Sequence, residues 1–230
     1  MPGSIPGVRS PHVFTLRNVT DVKAIKAYID EQGVTRAAVV GGGFIGVELM
    51  ENLRELGIDV TVVQRPRQLL NPLDADMAAF LHAKLRQKGV RLHLGCTVEG
   101  FAANGDRVNV LLKNEAPLTA DMVVLAIGVT PDTGLAKAAG LELGIKGSIL
   151  VNDRMETSAP DIYAVGDAVQ VKHFVTGQDT LLSLAGPANK QGRIAADNIC
   201  GGDSRYLGAQ GSSVVKVCGF PTDFLAFPNK

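Results

Sequence analysis

At 230 residues the chain is long enough for one or two domains with a sizeable core. Lysine plus arginine equals aspartate plus glutamate at 23 each, so nothing in the charge pulls it towards nucleic acid or an anionic membrane. No apolar run approaches the ~18 residues of a bilayer span, and Met1-Pro2-Gly3-Ser4 lacks the basic start and apolar centre of a secretory signal; a cytoplasmic protein is expected.

Residues 1–12 carry three prolines and two glycines and read as an irregular arm. Thr20 can cap a helix beginning at Asp21, which Gly33 would end. Residues 36–40 read as a strand, and residues 44–56 as a helix with Ile45, Leu49, Leu53 and Leu56 on one stripe. Asp59–Val63 is a second, β-branched strand, so strand, helix and strand together form one βαβ unit. A helix follows from about Asp74 to Lys88 with the stripe Met77, Phe80, Leu81 and Leu85, then a strand at Arg91–Leu94. Residues 97–113 suggest an antiparallel hairpin around Asn104-Gly105-Asp106. Met122–Ile127 is an unbroken apolar run, as expected of a fully buried parallel strand.

From Asp132 the texture changes to a short helix around Leu135–Ala139 and glycine-rich loops. Asp161–Ala168 reads as a strand ending in Gly166-Asp167, residues 187–199 as a helix with Ile194 and Ile199 among its apolar positions, and residues 212–218 as a strand. Cys96, Cys200 and Cys218 fit no zinc or redox spacing, and each is expected to be a small buried residue. His12, His82, His93 and His173 show no metal-ligand spacing either, and surface or structural roles are expected.

The chemistry concentrates in the first βαβ unit. Gly41, Gly43 and Gly46 fit G-x-G-x-x-G between an apolar strand and a helix. The first glycine permits the tight turn, the second lets backbone approach a pyrophosphate, and the third lets helix pack on strand. The helix start adds N–H groups and partial positive charge for the phosphates. At the end of the second strand, where an acidic residue usually holds the ribose of NAD, stands Gln64. It does not repel a 2′-phosphate, and Arg65 and Arg67 follow with guanidinium groups suited to one, so NADP is expected to be tolerated beside NAD. Gly166-Asp167 offers a second constellation: a carboxylate for ribityl hydroxyls, and a glycine that lets a flavin approach the backbone.

With these motifs in this order the sequence resembles the flavoprotein pyridine nucleotide–disulfide oxidoreductases. The similar branch holds the coenzyme A-disulfide reductases and the NADH oxidases or peroxidases. The resemblance rests on Val39–Glu48, Leu125–Pro131, Thr157–Ala168 and Leu184–Arg193, and runs through almost the whole chain. It implies an α/β, Rossmann-like dinucleotide-binding domain, a parallel sheet with helices and an antiparallel β-meander, beside the second part of a split FAD-binding domain. The divisions it implies are an arm at 1–12, an NAD(P)-binding domain at 13–131, an FAD segment at 132–205 and the start of a dimerisation domain at 206–230.

The resemblance further implies that Gly41, Gly43, Ile45 and Gly46 hold the nicotinamide dinucleotide, with Glu48 near the nicotinamide. Phe44 stands where the family has an aromatic that covers the flavin, and Gly128 lets the cofactor pass close to backbone. Asp167 would bind the ribityl–phosphate region of FAD, and Leu184 and Ala185 would lie at a helix start facing the flavin ring. Family members begin with a separate FAD glycine fingerprint and a redox cysteine, and neither is in this sequence. The resemblance therefore makes the chain a central piece with an incomplete FAD site, small nucleotides as ligands, and a parent that dimerises through its C-terminal domain. The activity implied for that parent is hydride transfer from NAD(P)H to FAD and on to a disulfide, peroxide or oxygen. A non-catalytic NAD(P)-binding module and a ferredoxin or rubredoxin reductase are the alternatives.

Overall fold

The computed structural model describes residues 5–225. They divide into two compact units, one running to Gly128 and taking in Val214–Thr222, the other spanning Val129–Ser213.

The first unit is built on β1 (Val13–Thr15), α1 (Val19–Gln32), β2 (Arg36–Val40), α2 (Phe44–Glu55), β3 (Asp59–Gln64), α3 (Ala75–Gln87) and β4 (Arg91–Leu94). A meander of β5 (Val98–Asn104), β6 (Arg107–Leu112) and β7 (Leu118–Ala120) follows, and then β8 (Met122–Leu125). The order β1-β8-β2-β3-β4 is parallel throughout, with β8 between β1 and β2. Alternation along the strands divides their side chains between two faces. Ala38, Val40, Val63, Val123 and Leu125 pack against Phe101, Val108 and Val110 of the meander. Ala37, Val39, Val62 and Val124 are equally buried on the other face, towards the helices. Each such valine or leucine removed from water stabilises by about 1.5–3 kcal/mol before entropy is counted.

Several local expectations shift. The first helix starts at Val19, because Asn18 rather than Thr20 caps it: Asn18 Oδ1 accepts from Asp21 N–H at 3.0 Å, and Asp21 Oδ2 accepts from Arg17 N–H at 2.8 Å. In α2 the buried face is Gly46, Val47, Met50 and Leu53; Ile45 and Leu56 of the expected stripe are exposed. In α3 Met77 and Phe80 are exposed at 47% and 64%, while Ala78 and His82 join Leu81 and Leu85 inside. Each expected stripe meets the sheet along one edge only, since apolar size alone does not reveal which edge of a wide stripe faces it. The short β1 was not expected; three residues carry no periodicity. Residues 5–12 of the arm are irregular but docked, while residues 1–4 lie outside the described residues: Val8 is buried, and Phe101 N–H donates to Pro6 O at 2.9 Å.

The second unit holds α4 (Gly134–Ala138), a 3₁₀ turn at Gly166–Ala168, β9 (Val171–Lys172), β10 (Asp179–Thr180) and α5 (Ala185–Ile199). Its core gathers Met155, Val169, Val171, Ala195 and Tyr206. Asp161–Ala168 does not form the expected strand. Only Tyr163 bridges, to Glu156, and none of the segment is buried; within the described residues no ladder partners it. In α5 Ile199 is 63% exposed, and polar Gln191 and Asn198 are buried in its place. Cys96 is buried as expected, but Cys200 is exposed and Cys218 half-exposed. The described residues close with β11 (Ser212–Val217) paired to β12 (Phe220–Leu225).

Candidate functional site

Strand β2 delivers Gly41 to the carboxyl edge of the parallel sheet, where ligands of open α/β sheets bind. Gly41 N–H donates to Val63 O at 2.9 Å, and Ala126 N–H to Val40 O at 2.7 Å, so β3 and β8 flank the turn on either side. Gly41 sits at φ +111°, and a β-carbon there would run into the Ala126 carbonyl. A β-carbon on Gly46 would run into the Gly41 carbonyl. These two glycines are demanded by packing.

Gly43 differs. It is the extended residue before α2 (φ −78°, ψ −173°), and a β-carbon on it would meet nothing within 4 Å. Helix α2 begins there with no side chain capping its N-terminus, so the positive end of its dipole opens outwards. A cavity of about 470 Å³ lies against the turn, lined by Gly41, Gly42 and Gly43 and also by Gln64, Arg65 and Gly128. The space in front of Gly43, bounded by backbone amides and an uncapped helix, fits a pyrophosphate.

Arg65 and Arg67 are exposed beyond the end of β3. Gln64 is half-buried and occupied: its Oε1 accepts from Gly42 N–H at 2.9 Å and its Nε2 donates to Gln68 O at 3.2 Å. Its amide thus holds the glycine turn. Phe44, first residue of α2, is half-buried. Ile45 and Glu48 lie away from this cavity, on an apolar groove of about 830 Å³ between α1 and α2 that Val19, Val22 and Leu56 also line.

Cys96 lines the cavity and was not expected there, although its position just past the end of β4 places it on the same edge as the other ligand-facing loops. Burial first, and then its contact with the Glu115 carboxylate, pushes its thiol up to about 11. Glu115 also binds His93 Nδ1 at 3.0 Å. A thiol so held is not a nucleophile near neutrality. Iodoacetamide at pH 7.5 is expected to label exposed Cys200 at least about tenfold faster than Cys96, read by peptide mass spectrometry; equal labelling would contradict the environment described.

In the second unit Gly166 (φ +83°) sits beside α5, its N–H donating to Gln191 Oε1 at 2.7 Å. Gln191 is fully buried and was not expected as a site residue; a polar side chain inside a helix's apolar pattern was the available signal. Asp167 is exposed next to it, and α5 begins on Leu184 with Ala185 exposed and no side-chain cap. This unit thereby brings an acidic side chain, a glycine and an open helix N-terminus into one neighbourhood, a set able to hold the polar part of a flavin nucleotide. Among the described residues there is no cluster fit for a metal ion, and no helix long and apolar enough to cross a membrane.

Residues 1–192 match the family model described as pyridine nucleotide-disulphide oxidoreductase. A protein named NADH oxidase from Methanocaldococcus jannaschii is 39% identical over 206 residues, 89% of this chain and 46% of its own length. The crystal structure of reduced Bacillus anthracis CoADR-RHD superposes with a TM-score of 0.90 at 50% identity, covering 95% of this chain and 39% of that one. A NAD-dependent persulfide reductase from A. fulgidus gives 0.91 at 35% identity, covering 95% and 40%. The chain spans about half the length of the curated relatives it matches.

Proposed function

The chain belongs to the pyridine nucleotide-disulphide oxidoreductase family, and on that premise we propose that it is the nicotinamide-nucleotide-binding portion of an FAD-dependent NAD(P)H oxidoreductase. The observation that carries the reading is the contrast within one turn: Gly41 and Gly46 are closed in by backbone, while Gly43 faces open space on an uncapped helix. The pyrophosphate of NAD(P)H lies there, with Gly128 on the far wall admitting the cofactor close to backbone. Ile45 and Glu48, on the first turn and a half of α2, serve the nicotinamide end, and Phe44 covers the flavin. Asp167, Gly166, Leu184 and Ala185 hold the flavin nucleotide in the second unit. Bound FAD supplies the acceptor for hydride from the nicotinamide; the residues of this chain bind and orient. The electrons then pass to a disulfide, peroxide or oxygen, as the names of relatives such as the M. jannaschii NADH oxidase and the A. fulgidus persulfide reductase suggest. We read the parent as a homodimer.

Because the chain has no tryptophan, the fluorescence of reduced nicotinamide reports binding directly. Titration is expected to show saturable binding of both NADH and NADPH; no binding of either overturns the reading. No carboxylate stands at the end of β3, so Arg65 is free to favour a 2′-phosphate. Arg65→Glu is expected to weaken NADPH by about tenfold while NADH changes by about twofold or less. Wild-type binding of NADH with none of NADPH would refute this assignment.

A further inference from the structure

The segment between β3 and α3 converges on Gly42, the middle glycine of the turn. Gly42 N–H donates to Gln64 Oε1, and its carbonyl accepts from Leu70 N–H at 2.8 Å. A β-carbon on Gly42 would strike Leu69 Cδ2, so the Leu69 side chain lies directly on the turn. With Gln64 Nε2 closing on Gln68 O, residues 64–70 form a strap over a peptide that lines the nucleotide cavity. The strap includes Leu70 at φ +46°, a left-handed conformation that a branched side chain adopts only when its surroundings impose it.

A further contact holding the strap comes from α3. His82 is buried, and its Nε2 accepts the buried Leu69 N–H at 3.1 Å. To accept there the ring must be neutral with its proton on Nδ1. Burial first, and then Arg86 one turn along the helix, lowers its pKa and favours that neutral form. His82 does not line the cavity, so it can act on a ligand only through the strap.

We propose that His82 is a positioning residue for nucleotide binding: through Leu69 it fixes the strap that carries Arg65 and pins Gly42 under the pyrophosphate. The inference rests on the nucleotide reading above. Glutamine and methionine are close in size and flexibility, but only glutamine brings an oxygen to about where Nε2 stands. His82→Gln is expected to bind NADH and NADPH within about twofold of wild type, and His82→Met about tenfold more weakly. Thermal melts run beside the titrations separate this from a general loss of fold, because a merely structural role would show in the melting temperature of His82→Met and leave the affinity of the folded fraction unchanged. Should His82→Met not fold, amide exchange of the wild type decides: Leu69 and Leu70 N–H exchange should slow on adding NADH. Equal affinities in both variants, or exchange there indifferent to NADH, would overturn the proposal. A wild type that binds neither nucleotide removes the nucleotide reading itself, a different and distinguishable failure.

Discussion

A Gly43→Val variant is expected to keep its melting temperature within about 2 °C and to lose NADH affinity by more than about 100-fold. A β-carbon at 43 meets nothing within 4 Å, and the backbone there is not left-handed, so the fold itself does not demand glycine at this position. The valine side chain would project instead into the space assigned to the pyrophosphate, where backbone must come within hydrogen-bond distance of phosphate oxygens. Gly46→Ala should behave oppositely. Its methyl collides with the Gly41 carbonyl, part of the sheet-edge turn that cannot move aside, and a cost of about 2–4 kcal/mol in stability follows. Melts and titrations on the two variants together make the test. If Gly43→Val binds NADH like the wild type, the space before α2 is not a phosphate site.

Much of this was legible in the sequence. The strand–glycine–helix run, the βαβ spacing, the Asn104-Gly105-Asp106 hairpin and the buried Met122–Leu125 strand all declare themselves through local periodicity and turn chemistry, which act within a few residues. What was not legible depends on distant partners. Gln64 ends the second strand, and nothing local shows that its amide is engaged by Gly42 and Gln68. The apolar edges of α2 and α3 were misjudged because several hydrophobic residues compete for one sheet face. His82 and Gln191 looked like ordinary helix residues until the backbone N–H groups that they accept from, Leu69 and Gly166, came into view.

A persulfide reductase shares this fold and a protein named NADH oxidase is similar in sequence, so likeness of fold alone does not choose an acceptor for the reading proposed above. In the proposed reading the nucleotide is recognised largely by backbone, and backbone is what glycine spacing specifies.

The end of the sheet opposite the glycine turn depends on Asp121, which no motif marked. Its Oδ2 accepts from Thr35 N–H (3.0 Å), the Thr35 hydroxyl (2.9 Å) and Arg36 N–H (2.9 Å), while Oδ1 lies 3.2 Å from Arg107 Nε. One carboxylate thereby ties the entry of β2 to β8 and to β6. Burial pushes its pKa up, but the Thr35 and Arg36 hydrogen bonds, with the Arg36 charge, outweigh burial and hold it below the ordinary aspartate value. Asp121→Ala strands those donors and is expected to destabilise the first unit by about 3 kcal/mol, and Asp121→Asn, which keeps one acceptor oxygen, by roughly half as much. Because the folded pKa is depressed, the stabilisation is complete well above the unfolded value of about 3.9 and is lost as pH falls from there through the folded value. Urea titrations at pH 7 and pH 3 should therefore show the gap between wild type and Asp121→Asn narrowing in acid. A gap that stays constant would mean that the charge of Asp121 contributes nothing, and that its role is shape alone.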